Sequence, residues 1–255
     1  MKFLAIIQAR VSSNRLPRKV LKPILGVPML SQQIARLKQV KLFDQLIVAT
    51  SDEASDDPIE SLCQMLNVTC YRGSLNDVLD RYYQAAKGYQ TENIVRLTGD
   101  CPLIDPEQTN NVLNLHLTQK ADYTSNCCPP TLPDGLDIEV FTKDSLNKSW
   151  ALANKPSERE HVTQFMRNHP EQFDLANYQY KEDLSALRWT VDEPSDLEFV
   201  RQVYQYLYDK NHLFSMQDIL TLLTKHPHLI QINKNHSRDE GLAKSLADDI
   251  KLGYK

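Results

Sequence analysis

Glycine is scarce in this chain. Only 7 of the 255 residues are glycine, about 3% where average proteins have about 7%. No two glycines lie within ten residues of each other. The sequence therefore contains neither the G-x-G-x-x-G loop of dinucleotide-binding folds nor the G-x-x-x-x-G-K-[ST] loop of P-loop NTPases. Any phosphate that the protein binds must be held in another way.

Three further features are missing from the sequence. With 29 basic and 33 acidic residues the net charge is −4, so no general positive field attracts nucleic acid or an anionic membrane. No apolar run approaches the about 20 residues of a membrane helix, and no signal peptide is recognisable. The five cysteines form no C-x-x-C pair, which favours reduced thiols. We expect a cytoplasmic protein that binds neither nucleic acid nor membrane.

Short apolar runs alternate with amphipathic segments through the first 120 residues. The sequence predicts strands at 3–7, 46–49, 68–71 and 93–97, and helices at 29–40, 58–66, 76–89 and 106–117. Strands that alternate with helices of this length form βαβ units. The predicted fold class is therefore α/β, with helices flanking a mostly parallel sheet.

The pattern changes in the middle of the chain. Residues 127–135 hold three of the 13 prolines, and proline is excluded from central strands. A predicted strand at 136–141 and a helix at 144–154 follow. We expect an inserted antiparallel lobe over about 121–185.

The last third returns to the earlier pattern and ends in an amphipathic tail. A return strand is predicted at 188–191, followed by a helix that begins at Pro194. Residues 238–251 carry leucine and isoleucine at helical spacing, and the tail as a whole spans 233–255. Because the sequence contains no recognisable linker or repeat, we predict a single domain over residues 1–255.

A basic loop, residues 8–19, follows the first predicted strand. The loop contains small polar side chains and four cations, which are Arg10, Arg15, Arg18 and Lys19. Ligands bind at the carboxyl ends of the strands in open α/β sheets, and guanidinium groups together with a lysine can clamp a polyphosphate there. A solvated basic turn is the alternative. The position directly after the first strand favours the clamp.

Two aspartates follow later strands in the same way. Asp100 comes after the strand at 93–97, and Asp192 comes after the strand at 188–191. One or two carboxylates together with substrate phosphates suit Mg²⁺. Each aspartate could instead cap a helix, which is what we expect of Asp105. For Asp100 and Asp192 we favour the metal.

The basic loop also carries a resemblance to a known family. Together with Pro28-Met29-Leu30 it resembles the N-terminal signature of the CMP-sugar synthetases, the cytidylyltransferases that activate 3-deoxy-octulosonate and acylneuraminate sugars. The resemblance is closer to the spore-coat-polysaccharide branch of that family. Five further motifs occur in the matching order, at 71–82, 96–105, 133–141, 158–163 and 188–192.

The resemblance implies a fold and an activity. The fold would be that of the nucleotide-diphospho-sugar transferases. The reaction would be a Mg²⁺-dependent transfer of CMP from CTP to a sugar, an acidic nonulosonate or octulosonate-like one, with release of pyrophosphate. The product would serve surface polysaccharide biosynthesis, and the enzyme would be a homodimer whose middle lobe takes part in sugar binding and dimerisation.

The resemblance also implies roles for particular residues. Asp100 and Asp192 would hold the metal. The groups that act directly in catalysis would be Arg10, Lys19, Asp100 and Asp192. The nucleotide would be bound by Gln8, Arg10, Ser12, Ser13, Arg15, Lys19, Arg72 and Ser74.

The sugar site is the part that the sequence defines least. Its candidate residues are Asp134, Asp137, Glu139, Arg159, His161 and Arg188. On an alternating strand Asp137 and Glu139 share one face, where they could accept hydrogen bonds from sugar hydroxyls, although a solvated strand face fits nearly as well. Arg159 or Arg188 could hold a sugar carboxylate. His161 either belongs to this site or is a structural histidine.

One residue departs from the family pattern. The family usually has glycine where this chain has Arg18. Arg18 either adds a cation to the clamp or points to solvent.

Two other functions compete with cytidylyl transfer. The first is a glycosyltransferase on the related nucleotide-sugar fold, but such enzymes typically hold their metal with a D-x-D pair, and no two aspartates of this chain have that spacing. The second is a catalytically silent nucleotide-binding protein, an alternative that Arg18 keeps open.

Overall fold

A seven-stranded sheet forms the centre of the molecule. The computed structural model describes residues 1–254. The strands of the sheet are β1 Phe3–Gln8, β4 Gln45–Ser51, β5 Thr69–Gly73, β6 Asn93–Thr98, β7 Tyr123–Ser125, β8 Glu139–Thr142 and β9 Leu175–Asn177. They lie in the order β5-β4-β1-β6-β8-β7-β9. A separate antiparallel hairpin is formed by β2 Pro23–Ile24 and β3 Val27–Pro28.

Helices cover both faces of this sheet. They are α1 Met29–Leu37, α2 Asp57–Met65, α3 Val78–Lys87, α4 Pro106–Gln119, α5 Lys143–Leu152, α6 Pro156–Glu160, α7 Gln164–Asn168, α8 Pro194–Leu207, α9 Met216–Lys225 and α10 Glu240–Lys251. Short 3-10 helices occur at Lys19–Leu21, Ala54–Asp56 and Pro227–Ile232. Within residues 1–254 every helix is too short or too polar to cross a bilayer.

The central strand β1 shows why both faces must be covered. Phe3, Ala5 and Ile7 belong to one buried cluster, and Leu4 and Ile6 belong to a second. Successive side chains of a strand point to opposite faces, and all five are fully buried. The continuous apolar run in the sequence is therefore the signature of a strand buried on both sides.

Parallel pairing brings the carboxyl ends of the central strands to one edge. β1 pairs in parallel with β4 and β6. The amide of Gly99 donates to the Gln8 carbonyl at 2.8 Å, and a Cβ at position 99 would lie only 2.9 Å from that carbonyl oxygen. Glycine thus permits the close approach of the two strand ends, which places the basic loop beside Asp100.

Side chains cap several of the helices. Asp105 accepts hydrogen bonds from the amides of Glu107 and Gln108 at the start of α4, which confirms its predicted capping role. Asp77 caps α3, and Ser215 forms a capping box with Asp218 at α9. Each cap satisfies amides that the first turn of a helix leaves without a partner.

The predicted α/β fold with its antiparallel excursion is confirmed. β8 pairs antiparallel with both β6 and β7, whereas β9 pairs in parallel with β7. The division into a middle lobe over about 121–185 and a tail from 233 stays a prediction.

Two predicted strands differ from the structure. Residues 188–191 do not form a strand, because only Arg188 makes a bridge, with Asp134, and no neighbouring strand offers a ladder there. The strand predicted at 136–141 begins at Glu139 instead. The side chain of Asn126 takes up the Leu136 carbonyl and the Ile138 amide, so this backbone pairs with a side chain rather than with a strand.

Candidate active site

A cavity of about 690 Å³ opens at the carboxyl edge of β1 and β6, and we call it the main cavity. The basic loop forms one of its walls. The predicted nucleotide-binding residues of this loop that line it are Gln8, Arg10, Ser12, Ser13, Arg15 and Lys19. Asp100, Asp192 and His161 line it as well. The fold therefore brings nine of the predicted site residues to a single cavity.

Lys19 joins the two predicted metal-binding aspartates. Its Nζ lies 2.7 Å from Asp100 Oδ2 and 2.7 Å from Asp192 Oδ1, and its side chain is only 11% exposed. Burial alone would raise the pKa of Asp100, but the ammonium of Lys19 outweighs it and lowers that pKa to about 2. Two carboxylates thus converge on one cation position.

Arg15 is surrounded by acidic groups. Its guanidinium contacts Asp192 at 2.9 Å, Glu193 at 3.5 Å and Glu240 at 2.8 Å. In the free protein, both Arg15 and Lys19 are therefore paired with carboxylates of the chain itself. An incoming polyphosphate would exchange with these carboxylates, since phosphate oxygens satisfy guanidinium and ammonium donors equally well.

A buried carboxylate holds the start of the basic loop. Asp56 is fully buried, and its Oδ1 accepts the Val11 amide at 2.8 Å. Its Oδ2 accepts from Thr50 and from Ser51 at the end of β4. The loop is thus tied to the neighbouring strand, which fixes the direction in which its cations point.

Arg18 adopts a backbone conformation that explains why a glycine suits this position. Its φ is +57° and its ψ is 28°, in the left-handed region that glycine enters most easily. The Arg18 side chain is exposed and does not line the main cavity. Of the two alternatives that the sequence left open, the structure shows the side chain in solvent.

Helices α6 and α10 form the opposite wall of the main cavity. The sequence did not predict that α10 would contribute to it. The lining residues are Pro156, Ser157, Glu160 and His161 from α6 and its end, and Glu240, Gly241, Lys244, Ser245 and Asp248 from α10. Positions 241, 244, 245 and 248 recur at helical spacing and define one polar face. That face was visible in the sequence, but the cavity it lines was not.

The predicted residues Arg72 and Ser74 lie outside the main cavity. Arg72 Nη1 contacts Asp57 at 2.7 Å and Glu60 at 2.8 Å. Ser74 Oγ accepts the amide of Asp77. Arg72 thus ties β5 to α2 through ion pairs, and its assignment to the nucleotide stays a prediction.

Three of the predicted sugar-site residues are paired with other charges. Asp134 binds Arg188 at 2.9 Å, and Asp137 binds Arg238 of the tail. Burial, and next the nearby charge of Asp137, raise the pKa of Asp134 to about 7. None of these groups lines the main cavity.

Two of the three remaining predicted sugar-site residues, Glu139 and Arg159, also have internal partners. Glu139 is 5% exposed and accepts from Arg96, Tyr123 and Thr163. Arg159 pairs with Asp77, with Nη2 to Oδ2 at 2.5 Å. A sugar would have to displace these partners to reach either side chain. The role of both in sugar binding stays a prediction.

Arg81 is a cavity residue that the sequence analysis did not single out. The spacing of Asp77 and Arg81 would allow an intrahelical pair, but Asp77 binds Arg159. Arg81 is 1% exposed, lines the main cavity and donates to the Ser74 carbonyl at 2.8 Å. Its Nε is buried and has no hydrogen-bond partner among residues 1–254. The motif at 71–82, which contains Arg81, was identified in the sequence. The direction of the Arg81 side chain, however, depends on the packing of α3.

These features define a class of protein. A mostly parallel sheet with a basic loop after β1 and two carboxylates converging at the same edge is the arrangement expected of a nucleotidyltransferase. The cytidylyltransferase family model matches residues 4–219, and the chain belongs to this family. The resemblance read from the motifs is thereby confirmed.

Individual relatives agree with this assignment. The spore coat polysaccharide biosynthesis protein SpsF of Bacillus subtilis is 34% identical over 232 residues, which cover 88% of this chain and 95% of the relative. A 3-deoxy-manno-octulosonate cytidylyltransferase of Parabacteroides distasonis is 28% identical over 155 residues, 58% of this chain and 60% of the relative.

A solved structure extends the agreement to three dimensions. A cytidylyltransferase from Leptospira borgpetersenii superposes with a TM-score of 0.86 at 35% identity, covering 93% of this chain and 98% of that one. The protein is therefore an enzyme of the cytidylyltransferase class, and the family match favours this class over a glycosyltransferase or a silent binding protein.

Proposed function

We propose that the protein transfers CMP from CTP to a sugar hydroxyl and releases pyrophosphate in a Mg²⁺-dependent reaction. The single observation that carries this proposal is the convergence of Asp100 and Asp192 on one cation position beside the basic loop. We propose an acidic sugar as the acceptor and surface polysaccharide synthesis as the purpose. The spore coat polysaccharide biosynthesis protein and the 3-deoxy-manno-octulosonate cytidylyltransferase among its relatives support these two proposals.

The donor set of the site fits magnesium. Among residues 1–254 no group of three or more His, Cys, Asp or Glu side chains could hold a metal. Mg²⁺ needs fewer, since it commonly binds one or two carboxylates and takes its other ligands from water and substrate phosphates. Asp100 and Asp192 would hold it. When bound there, it would supply positive charge against the phosphate oxygens.

Lys19 now occupies the position between these carboxylates. A cation bound to Asp100 and Asp192 would free its ammonium from both. Lys19, Arg10 and Arg15 could then pair with the phosphates of CTP and stabilise the charge that builds on the departing pyrophosphate. The ion pairs of the free protein thus keep these side chains close to where substrate would need them.

The oligomeric state, the location and several residue roles are also proposed. We propose that the enzyme acts as a homodimer, as the resemblance implies, and that it acts in the cytoplasm, as we expect from the sequence. We also propose that Arg72 and Ser74 bind the nucleotide. Sugar-binding roles are proposed for Asp134, Asp137 and Glu139.

One assay tests the activity. The protein is incubated with Mg²⁺, with CTP, ATP, GTP or UTP, and with a panel of acidic and neutral sugars, and pyrophosphate release is measured. We expect release with CTP and an acidic sugar only. An absence of release with every sugar, combined with no CTP-dependent rise in melting temperature, would refute the proposal.

Arg18 provides a second test, at the position where the family usually has glycine. We expect Arg18→Gly to keep the rate of pyrophosphate release within about threefold of the wild type, because an exposed cation outside the cavity contributes little. The comparison variant is Arg15→Gln, which removes a cavity-lining charge. It is expected to raise the KM for CTP about tenfold. Equal losses in both variants would show that Arg18 takes part in the clamp.

A further inference from the structure

Ser245 on α10 has three polar neighbours in the wall of the main cavity. Its Oγ lies 2.9 Å from His161 Nε2, 2.8 Å from Glu160 Oε2 and 3.1 Å from the Gly241 carbonyl oxygen. An ionised carboxylate and a carbonyl can only accept hydrogen bonds. The contact to Glu160 is the shorter of the two, and a hydrogen bond to a carboxylate is stronger than one to a neutral acceptor, so we assign the Ser245 hydrogen to Glu160.

This arrangement favours one tautomer of His161. With the Ser245 hydrogen on the Glu160 carboxylate, the Ser245 oxygen accepts a hydrogen bond from His161. Nε2 of His161 therefore carries the hydrogen. In a neutral imidazole the other nitrogen, Nδ1, then has a free lone pair.

The surroundings keep His161 neutral. Burial lowers the pKa of this imidazole, and the positive charge of Arg96 adds to the effect. The ring contacts of His161 run through Nε2, to Ser245 Oγ at 2.9 Å and to Glu160 Oε2 at 3.9 Å. His161 lines the same cavity as Lys19 and Asp100, so a neutral base and the proposed reaction centre face one shared space.

We propose that His161 Nδ1 accepts the proton of the attacking sugar hydroxyl, and that Ser245 is the positioning residue that fixes the tautomer able to do so. The proton-acceptor role rests on the proposed function. Ser245 lies outside residues 4–219, the segment that matches the family model. The C-terminal helix thus adds a functional contact to the matched domain.

The proposed step is balanced. The hydroxyl oxygen of the sugar forms a bond to the α-phosphorus of CTP while its proton passes to His161 Nδ1. The bond from the α-phosphorus to the bridging oxygen breaks, and its electron pair leaves with pyrophosphate. His161 becomes an imidazolium and returns the proton to solvent after the products leave. General base catalysis of this kind contributes about 100-fold or more to the rate.

Several charged groups act on His161 and enter any pH dependence. Those on its own element and on the elements packed around it are Glu160, Arg81, Arg96, Glu139 and Arg167. Those facing the cavity from the basic loop and from α10 are Arg10, Arg15, Lys19, Glu240, Lys244 and Asp248. Glu160 is the nearest negative charge, with Oε2 at 3.9 Å from His161 Nε2.

The tautomer can be measured without substrate. Nitrogen-15 NMR of the full-length protein labelled at histidine, with His161→Gln for assignment, reports which ring nitrogen carries the proton. We expect the Nε2–H form in the wild type and in Ser245→Thr, which keeps the hydroxyl. In Ser245→Ala we expect a mixture of tautomers and a higher pKa of His161, because Glu160 becomes the nearest partner. An Nδ1–H form in the wild type, or no change in Ser245→Ala, would overturn the positioning role.

Kinetics test the proton-acceptor role separately. We expect His161→Gln to lower kcat about 100-fold at an almost unchanged KM for CTP, and to abolish the acidic limb of the kcat–pH profile. Ser245→Ala should move that limb to higher pH, and Ser245→Thr should restore it. Ala247→Ser, an exposed change on the same helix, is the matched control. An unchanged acidic limb in His161→Gln refutes the role, whereas a wild type without pyrophosphate release refutes it together with the proposed function.

Discussion

Replacing Asp100 by asparagine is expected to lower the rate of pyrophosphate release by on the order of 1000-fold. The amide has the shape of the carboxylate and can still accept the hydrogen bond from Lys19. It lacks the negative charge with which Asp100 and Asp192 together attract a cation. The variant should therefore remain folded and lose the charge arrangement that the proposed reaction needs.

A matched variant separates this effect from a general loss of charge. Asp209→Asn removes an exposed carboxylate remote from the cavity lining and is expected to keep wild-type activity. Both proteins are compared by pyrophosphate release at several Mg²⁺ concentrations and by thermal melting. An Asp100→Asn enzyme that keeps more than about a tenth of the wild-type rate would remove Asp100 from the proposed mechanism.

The largest loss of stability is expected from Gly135→Ala. The φ of Gly135 is +102°, and a Cβ there would lie 2.4 Å from the Thr190 nitrogen and 2.6 Å from the Trp189 carbonyl carbon. Both are backbone atoms, and the Asp134 carbonyl binds the amides of the same two residues. The backbone of Trp189 and Thr190 cannot move away from the added Cβ without breaking these hydrogen bonds to Asp134. Strain and overpacking together should lower the free energy of unfolding by about 4 kcal/mol.

Urea unfolding measures this loss, and a second glycine provides the control. Gly88 ends α3 with a φ of −74°, and a Cβ there would meet no atom within 4 Å. Gly88→Ala should change the free energy of unfolding by less than about 1 kcal/mol. Equal effects at the two positions would contradict the packing argument.

Local patterns in the sequence were sufficient for the four parallel strands β1, β4, β5 and β6 and for the basic loop. An apolar run such as the one in β1 can only be satisfied between two layers, so a buried parallel strand follows from composition and length alone. The end of that strand is also where a ligand binds in such a sheet. Arg15 and Lys19 could therefore be assigned to a binding edge before any contact was known.

Other predictions needed more than local pattern. Arg72 follows a strand as the loop cations do, yet it binds Asp57 and Glu60 of the neighbouring helix. Arg188 precedes Asp192 in a run that is typical of a strand, but its guanidinium has buried carboxylates around it and its backbone has no ladder partner. In both places the outcome depended on partners distant in the sequence, and nothing in the local pattern indicates where such partners lie.

The scarcity of glycine, the alternation of strands and helices, and the motifs of the basic loop were enough to assign the fold class and the family. These features were sufficient because each of them depends only on residues that are close together in the sequence. The wall formed by α10, and the contact between Ser245 and His161, depended on the tertiary structure. These two residues are 84 positions apart, and their spacing is set by how α10 packs against α6. An amphipathic tail predicts that one face is polar, but packing alone determines that this face lines the main cavity.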